Sequence, residues 1–378
     1  MPRAESIARP AVNKLLIVDD SPLMRKLLTN IFSTQQDFEL HTARNAEEAM
    51  QLLHEFKPDV ISLDINMPGK NGLHCLRRIM VERPTPVVMF SSLTASGAGI
   101  TIEAMAAGAV DYMEKPSGIL TLDFDEVAAQ LIEKIRVAAK AKVRRSQGLV
   151  QRLRERNTST RRVASRPVPP SQDGLATASG DGVVLIGVST GGPKTLEEIL
   201  PYLPATLPWP VVIAQHMPAS FTSALAQRMD KLCELNVVEV LRQLKLEAGT
   251  IYIGRGDADI HLKKRGQGAI VMPTPSSPEY PWHPSVDALV RSAQTVFAPE
   301  QIIGVLLTGM GDDGSSEMAN LRLAGGHTIA ESEESAIVNG MPRELIDKGG
   351  AELILPAELI AAQLTHWLTA RETSDGLH

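Results

Sequence analysis

The chain has 378 residues, 43% hydrophobic and 22% charged, which is ordinary globular composition and predicts two or three domains. The formal net charge of −6 argues against nucleic acid as the main partner, and two cysteines, Cys75 and Cys233, are too few for a disulfide framework. No apolar run approaches the roughly 18 residues that span a bilayer, and residues 1–5 do not begin a secretory signal, so we expect no membrane insertion and a cytoplasmic location.

Short apolar runs alternate with amphipathic stretches over the first third of the chain. This alternation is typical of a parallel sheet with helices on both faces. We therefore predict a doubly wound, flavodoxin-like α/β domain over residues 13–139. Its predicted strands are 15–18, 60–63, 87–90 and 110–113, and its clearest helices are 24–32 and 46–56.

Residues 140–181 differ in composition from the segments on either side. Nine basic residues between Lys142 and Arg166 accompany a single acid, Glu155, and a proline-containing, Ser/Gly/Ala-rich stretch follows. This pattern predicts a solvated, self-repelling linker. Docking of the arginines onto an acidic partner is the alternative.

A second alternating segment begins at Val183 and predicts another doubly wound, mostly parallel α/β domain over residues 182–370. Two further runs, 259–262 and 269–272, are separated by residues 263–268 and predict a β-hairpin. The parallel strands are predicted at 183–188, 211–214, 250–253 and 302–307.

Five polar residues follow strands of the first domain at the points where the strands end. Asp19 and Asp20 come after the first strand and Asp64 after the next; Ser91 and Lys115 end later strands. The carboxyl ends of parallel strands converge on one crevice, where three carboxylates need a hard cation such as Mg²⁺. A hydroxyl and an ammonium at the same edge suit a bound phosphoryl group.

Helix capping is the alternative explanation for some of these residues. Asp20 and Ser21 precede Pro22, a sequence typical of an N-cap followed by proline in the first helical turn. Each polar residue taken alone is more often a cap or a solvated loop residue. Five of them at successive strand ends favour the phosphoryl site.

The first domain resembles the response-regulator receiver family. This resemblance implies that Asp64 is the phosphoacceptor and that Mg²⁺ is held by Asp19, Asp20, Asp64 and the carbonyl of Asn66. It also implies that Ser91 and Lys115 contact the phosphoryl group and that Tyr112 is a rotating switch aromatic; a half-buried strand aromatic is the alternative for Tyr112. The resemblance is carried by Val18-Asp19-Asp20-Ser21, Leu63-Asp64-Ile65-Asn66-Met67-Pro68-Gly69, Ser91 and Lys115-Pro116.

The second domain places Ser189 on a glycine-rich turn between a strand and a helix, in Gly187-Val188-Ser189-Thr190-Gly191-Gly192-Pro193. Such a turn exposes the hydroxyl and directs helix N–H groups towards it, as an acyl-transfer nucleophile requires. A phosphate-binding loop is disfavoured because Pro193 interrupts the required Gly-Lys pair. A serine that only caps the helix remains the alternative.

A histidine and an aspartate follow two other strands of this domain. His216 ends one strand, and Asp312 and Asp313 follow another, so a general base and an orienting carboxylate can meet Ser189. The order Ser, His, Asp differs from that of the α/β hydrolases, which would need His327 or His366 as the base. We therefore predict a different fold with the same chemistry.

These motifs resemble the catalytic domain of the chemotaxis protein-glutamate methylesterases. By motif position Ser189 is the nucleophile, His216 the base, Asp313 the third member and Met310 a backbone oxyanion donor; the Thr190 N–H is our own geometric nomination as a second donor. One departure is Ile253-Gly254-Arg255-Gly256, where the family usually has an alanine-proline pair, and this puts the local loop shape in doubt. The resemblance is carried by Ser189-Thr190-Gly191-Gly192, Gln215-His216-Met217-Pro218, Pro284-Ser285-Val286-Asp287 and Thr308-Gly309-Met310-Gly311-Asp312-Asp313-Gly314.

The two resemblances together imply a phosphorylation-activated serine hydrolase of bacterial chemotaxis. Its expected substrates are methyl-accepting chemoreceptors, whose glutamate methyl esters it hydrolyses and whose glutamines it deamidates. The expected phosphodonor is a chemotaxis-type histidine kinase, and the esterase chemistry needs no cofactor. A binding module on a degenerate hydrolase scaffold is the main alternative. A transcription factor is disfavoured because no helix-turn-helix pattern is evident.

Overall fold

The computed structural model describes residues 12–67, 71–91, 95–115, 124–143, 182–266 and 268–369, and the chain divides into two compact units. Of the predicted linker, residues 144–181 lie outside the described residues, as do Pro68, Gly69 and Pro116 of the receiver motifs. No helix in the described ranges is long and apolar enough to cross a membrane.

The first unit contains a five-stranded parallel sheet with the order β2-β1-β3-β4-β5. This order confirms the predicted flavodoxin-like, doubly wound fold. The strands are β1 (Asn13–Val18), β2 (Phe38–Ala43), β3 (Val60–Asp64), β4 (Val87–Ser91) and β5 (Asp111–Glu114). The helices in this part of the chain are α1 (Pro22–Ser33), α2 (Ala46–Glu55), α3 (Gly72–Glu82), α4 (Ala95–Ala107) and α5 (Phe124–Ala139).

Local sequence explains where the first helix begins. The Ser21 hydroxyl accepts a hydrogen bond from the Met24 N–H at 3.3 Å, and Pro22 occupies the first turn, where its missing N–H has no cost. The predicted cap is therefore present. Because Ser21 makes it, the Asp20 carboxylate stays available to the strand-end site.

The second unit is built on a seven-stranded sheet with the order β15-β14-β13-β6-β7-β10-β8, parallel at every pairing. Its strands are β6 (Val183–Val188), β7 (Val211–Gln215), β8 (Asn236–Val240), β10 (Thr250–Gly254), β13 (Ile302–Leu306), β14 (His327–Glu331) and β15 (Leu353–Leu355). Its helices are α6 (Gly192–Ile199), α7 (Ala219–Leu232), α8 (Val286–Gln294), α9 (Ser315–Leu323), α10 (Met341–Asp347) and α11 (Ala357–Thr369).

A small antiparallel sheet accompanies this parallel one. It contains β9 (Leu244–Lys245), β11 (Ala258–Arg265) and β12 (Gly268–Pro275), with β12 in the centre. The hairpin is confirmed, but the predicted loop at 263–268 is wrong because Lys263, Lys264 and Arg265 continue the ladder and pair with β12. Their charges are compatible with strand structure because these side chains are exposed on both faces near the tip.

The order of strands in the second sheet determines where a site can form. The chain builds outwards from β6 through β7 on one side and returns to build outwards from β13 on the other. The strand order therefore reverses between β6 and β13, and ligands of such sheets bind beyond the carboxyl ends of strands at this switch point. Ser189 follows β6 directly, and the loop with Asp313 follows β13.

Two candidate sites at the carboxyl ends of the sheets

In the first unit, two buried carboxylates share one ammonium. The Lys115 Nζ lies 2.8 Å from Asp19 Oδ2 and 2.8 Å from Asp64 Oδ2. Backbone N–H groups hold the other two oxygens: Ser21 donates to Asp19 Oδ1 at 2.9 Å, and Asn66 donates to Asp64 Oδ1 at 3.0 Å. The strand ends therefore place both acids with one oxygen fixed and one oxygen turned towards the cleft.

Burial and ion pairing have opposite effects on these charges. Burial raises the pKa of Asp64 above its usual value, although the Lys115 contact and the Asn66 N–H oppose this. Burial by itself lowers the pKa of Lys115, but hydrogen bonds to Asp19 and Asp64 outweigh it and raise the pKa. Lys115 is therefore held as a cation beside the two acids.

The same cluster fits a hard metal ion. Asp20 joins Asp19 and Asp64, and one ligand oxygen from each lies within 4.8 Å of the others. Three carboxylates with one contacting ammonium carry excess negative charge, and carboxylate oxygens are the ligands that Mg²⁺ prefers. Asn66, whose carbonyl is the further predicted ligand, lies two residues after Asp64, and its side chain is exposed.

The other two predicted residues of this unit lie in β4 and β5, Ser91 at the carboxyl end of its strand and Tyr112 inside its strand, paired with Met89. Ser91 ends β4 and is fully buried, and its carbonyl accepts a hydrogen bond from the Lys115 N–H at 2.9 Å. Tyr112 lies in β5 and is buried rather than half-buried, with the Lys134 Nζ 5.6 Å from its ring centroid. The rotation of Tyr112 stays a prediction.

In the second unit, Ser189 and His216 follow neighbouring strands. Val188 pairs with Gln215 in the ladder between β6 and β7, so the next residue of each strand lies at the same edge. The His216 N–H donates to the Val188 carbonyl at 3.0 Å, and the Gln215 side-chain amide donates to the Ser189 carbonyl at 3.0 Å. The two backbones are thus firmly connected, although no hydrogen bond joins the Ser189 hydroxyl to the imidazole.

The imidazole of His216 is bound to Asp313 through its far nitrogen. The His216 Nε2 lies 2.7 Å from Asp313 Oδ2, and both side chains are over nine-tenths buried. The near nitrogen, Nδ1, has no hydrogen-bond partner among the described residues. The acid therefore fixes the ring orientation, and Nδ1 is the nitrogen available to receive a proton.

Asp313 is held by groups at the start of α8. Its Oδ2 accepts from the Val286 N–H at 2.7 Å, and its Oδ1 accepts from the Asp287 N–H and the Ser285 hydroxyl, each at 3.0 Å. Burial by itself raises the pKa of Asp313, but the contact with His216 and these N–H groups outweigh it and hold the pKa below its usual value. The carboxylate is therefore both ionised and oriented.

The glycine before Met310 allows the loop after β13 to approach the serine closely. A Cβ at Gly309 would lie 2.7 Å from the Ser189 Cβ and 2.2 Å from the Met341 Sδ, which real contacts do not allow. The Met310 N–H, one residue further on, makes no hydrogen bond within the described parts of the chain. The Met310 N–H therefore belongs to a loop that approaches Ser189 closely, and its role as an oxyanion donor stays a prediction.

Thr308 connects this loop to the nucleophile turn. Its hydroxyl donates to the Thr190 carbonyl at 2.8 Å, and its carbonyl accepts from the Ser189 N–H at 2.9 Å. Gly191 follows with a φ of 82°, the left-handed conformation that glycine tolerates. The predicted turn geometry is present, and Thr190 lies within it.

A fully buried acid that the sequence did not single out supports the same loop. Glu331 Oε2 accepts from the Thr308 N–H at 2.8 Å, and Oε1 accepts from the Ser335 hydroxyl at 2.8 Å. Burial raises the pKa of Glu331 to about 7. The sequence signal that could have identified Glu331 is its position at the end of the short, mostly apolar run Thr328-Ile329-Ala330.

The remaining histidines considered as bases lie elsewhere. His327 is the first residue of β14 and contacts Glu352 at 3.0 Å, while His366 lies in α11.

Trp282 is a residue that the sequence analysis missed: its ring is nearly parallel to that of His216, at 7°, with centroids 6.0 Å apart. Asp312 is exposed, in contrast to Asp313.

Comparison with known proteins gives matches over nearly the whole chain. The CheB methylesterase family matches residues 184–364, and the response regulator receiver domain family matches residues 15–123. The protein-glutamate methylesterase/protein-glutamine glutaminase 3 of Rhodospirillum rubrum is 52% identical, covering 97% of this chain and 99% of that protein. A Rhodopseudomonas palustris protein named protein-glutamate methylesterase/protein-glutamine glutaminase 2 is 50% identical, covering 94% of this chain and 98% of its own length.

Among solved structures, the catalytic domain of the Thermotoga maritima CheB methylesterase is 37% identical, covering 49% of this chain and 98% of that chain, with a TM-score of 0.48. The two full-length relatives match both units in the same order. The predicted family resemblances are therefore confirmed. The chain belongs to the CheB methylesterase family and carries a response regulator receiver domain before its catalytic domain.

Proposed function

We propose that this protein is a phosphorylation-activated serine hydrolase that removes methyl esters from glutamate residues of chemoreceptors and deamidates receptor glutamines. The observation that carries the proposal is the buried pair of His216 and Asp313, which lies beside Ser189 at the switch point of the sheet. The names of the full-length relatives supply the substrate class. Methyl-accepting chemoreceptors are the macromolecular substrate that we expect for a methylesterase joined to a receiver domain.

The reaction begins with proton transfer from Ser189. Its Oγ attacks the ester carbonyl carbon while His216 Nδ1 takes the hydroxyl proton, a role typically worth about 10²–10⁴ in rate. Asp313 stabilises the resulting imidazolium through Nε2. The Met310 and Thr190 N–H groups bind the oxyanion, and such a donor typically contributes about 2.7–4 kcal/mol.

The tetrahedral intermediate then collapses to an acyl-enzyme. The C–O bond to the methoxy group breaks, and the proton on His216 leaves with it as methanol. Water attacks the Ser189 ester by the same route and releases the glutamate carboxylate. With a glutamine substrate, ammonia leaves in place of methanol, because His216 protonates the amide nitrogen.

The receiver controls this activity through Asp64. We propose that Asp64 takes a phosphoryl group from a chemotaxis-type histidine kinase, and that Asp19, Asp20, Asp64 and the Asn66 carbonyl hold Mg²⁺, which neutralises the phosphoryl charge when bound. Lys115 and Ser91 contact the phosphoryl oxygens, and rotation of Tyr112 reports the change to the rest of the domain. The esterase reaction itself uses no metal.

Release of methanol from methyl-labelled receptor membranes tests the proposal. Wild type, Ser189→Ala and the exposed-serine control Ser223→Ala are compared with and without a small phosphodonor plus Mg²⁺. We expect release from wild type and the control, stimulation by the phosphodonor, and none from Ser189→Ala. No release from wild type in any condition would favour the scaffold alternative or another ester substrate.

A further inference from the structure

Beside the His216–Asp313 pair, the N-termini of α8 and α9 each donate hydrogen bonds to a carboxylate that belongs to the start of the other helix. Asp313 lies just before α9 but accepts hydrogen bonds from the start of α8. Asp287 lies in the first turn of α8, and its Oδ1 accepts a hydrogen bond from the Glu317 N–H in the first turn of α9, at 3.1 Å. Each helix therefore receives its acid from the other, where the helix dipole favours a negative charge.

These hydrogen bonds hold both ends of the segment that follows Asp313. Asp287 binds residue 317, while its own N–H binds Asp313 Oδ1 at 3.0 Å. Between them, Gly314 adopts a φ of 86°, and a Cβ there would lie 2.4 Å from Val286 Cγ1. The turn from 313 to 317 is thus packed directly against α8 and has little room to shift.

The local charges show that this arrangement has an electrostatic cost. Burial, followed by the nearby charges of Asp313 and Glu317, raises the pKa of Asp287 to about 6, although the N–H groups of Glu317 and Gly314 oppose this. Two other charged or titratable residues lie nearby: Arg291 of α8 pairs with Glu317 at 3.1 Å, and His216 contacts Asp313. A second, partly buried acid next to Asp313 is unfavourable unless its hydrogen bonds are needed.

We propose that Asp287 is a positioning residue for the hydrolytic reaction: by binding the start of α9 it holds the Asp313 carboxylate in line with His216 Nε2. This inference rests on the proposed function of the His216–Asp313 pair. Asp287 does not touch the substrate or the reacting atoms. It acts through the backbone of residues 314–317 and through its own N–H.

Three variants separate this role from simple helix capping. Asp287→Ala removes the bond to Glu317, Asp287→Asn keeps an acceptor oxygen but removes the charge, and the exposed neighbour Asp312→Asn changes charge alone. We expect Asp287→Ala to lower kcat about 10²-fold with KM little changed, as for a misplaced catalytic group. Asp287→Asn should recover most of kcat, and Asp312→Asn should behave as wild type.

The pH profile and a proton resonance provide readouts that helix stability alone does not move. Loss of a negative charge near the imidazole makes its protonation less favourable, so Asp287→Asn should shift the acidic limb of kcat/KM to lower pH. The downfield ¹H resonance of the His216–Asp313 hydrogen bond should be lost in Asp287→Ala and present in Asp287→Asn.

The outcomes distinguish this proposal from the one on which it rests. If wild type is inactive on the methyl ester, the proposed function fails; the resonance then still tests the positioning role. If wild type is active and folded Asp287→Ala retains its kcat and the resonance, Asp287 only stabilises α9 and the inference is overturned.

Discussion

The two units use carboxylates at the same structural position in opposite ways. Asp64 and Asp313 are both buried near the carboxyl end of a parallel strand: Asp64 is the last residue of β3, and Asp313 lies in the loop after β13. Asp64 has one oxygen held by an N–H and the other against an ammonium in a cleft with two more acids. Asp313 has both oxygens occupied by N–H, O–H and imidazole donors.

The difference lies in what neutralises the charge. Around Asp313 the neutralising groups are fixed parts of the fold, so we expect the carboxylate only to orient and stabilise its histidine. Around Asp64 the fixed donors are too few for three acids, and the balance must come from exchangeable partners such as a cation. We therefore expect one sheet edge to serve a constant function and the other to act as a switch, and this contrast can be tested.

The largest effect is expected for Asp313→Asn. An amide in place of the acid removes the charge that stabilises the imidazolium and favours the wrong ring tautomer, and a comparable substitution in a serine protease costs about 10⁴ in kcat. We expect a loss of this size in methanol release. Phosphoryl incorporation into Asp64 should be unchanged, and a parallel loss there would contradict the separate roles of the two acids.

Removal of Mg²⁺ should have the reverse selectivity. Chelation with EDTA leaves the three receiver carboxylates without a compensating cation, so phosphoryl transfer to Asp64 should slow by at least about 10²-fold, since metal stabilisation is worth several kcal/mol. Basal ester hydrolysis should be unaffected. The measurement is radiolabel incorporation from a phosphodonor beside methanol release, with Mg²⁺ re-addition as the control.

Glu331→Gln should alter the pH dependence of stability. The pKa of Glu331 rises from 4.5 to about 7 in the folded protein. The stabilisation of the fold by protonated Glu331 is therefore fully present below about pH 4.5 and is lost as pH rises to 7. The variant should therefore be more stable than wild type at pH 8, by about 1–3 kcal/mol. Chemical denaturation at pH 5 and pH 8 measures this; equal stability differences at both would show that the charge is irrelevant.

The smallest effect should be confined to the receiver. The Asn45 side chain accepts a hydrogen bond from the Glu48 N–H at 2.9 Å and caps α2, so Asn45→Ala should cost about 1 kcal/mol. Calorimetry should show only the receiver transition moving, with basal ester hydrolysis intact. A shift of both transitions would mean that the two units unfold together.

Residues at the strand ends could be predicted because buried strands have uniform apolar sequences. All six residues of β6 are buried, and its bounds match the prediction. The strand β2 was missed because Phe38-Glu39-Leu40-His41 is half-exposed and mixes charged with apolar residues. The strand β14 was missed because it begins with His327 and ends with the buried Glu331.

The sequence also predicted that His216 and Asp313 would meet, but not how. That Asp313 binds His216 Nε2 rather than Nδ1 depends on side-chain rotamers, which no local pattern encodes. The donors to Asp313 lie 26 to 28 residues earlier in the chain, and only the packing of α8 against α9 brings them together. Tertiary packing, not motif spacing, sets this detail.

The orientation of His216 has a consequence for chemical labelling. Nδ1 is bonded to Cγ, the ring carbon attached to Cβ, so the proposed proton acceptor lies closer to the backbone than Nε2 does. A substrate-like alkylating ketone bound at Ser189 should therefore modify the inner ring nitrogen, leaving the outer one shielded by Asp313. Mass spectrometry combined with NMR of the modified ring would identify the alkylated atom, and an Nε2 adduct would mean that the ring turns over during the reaction.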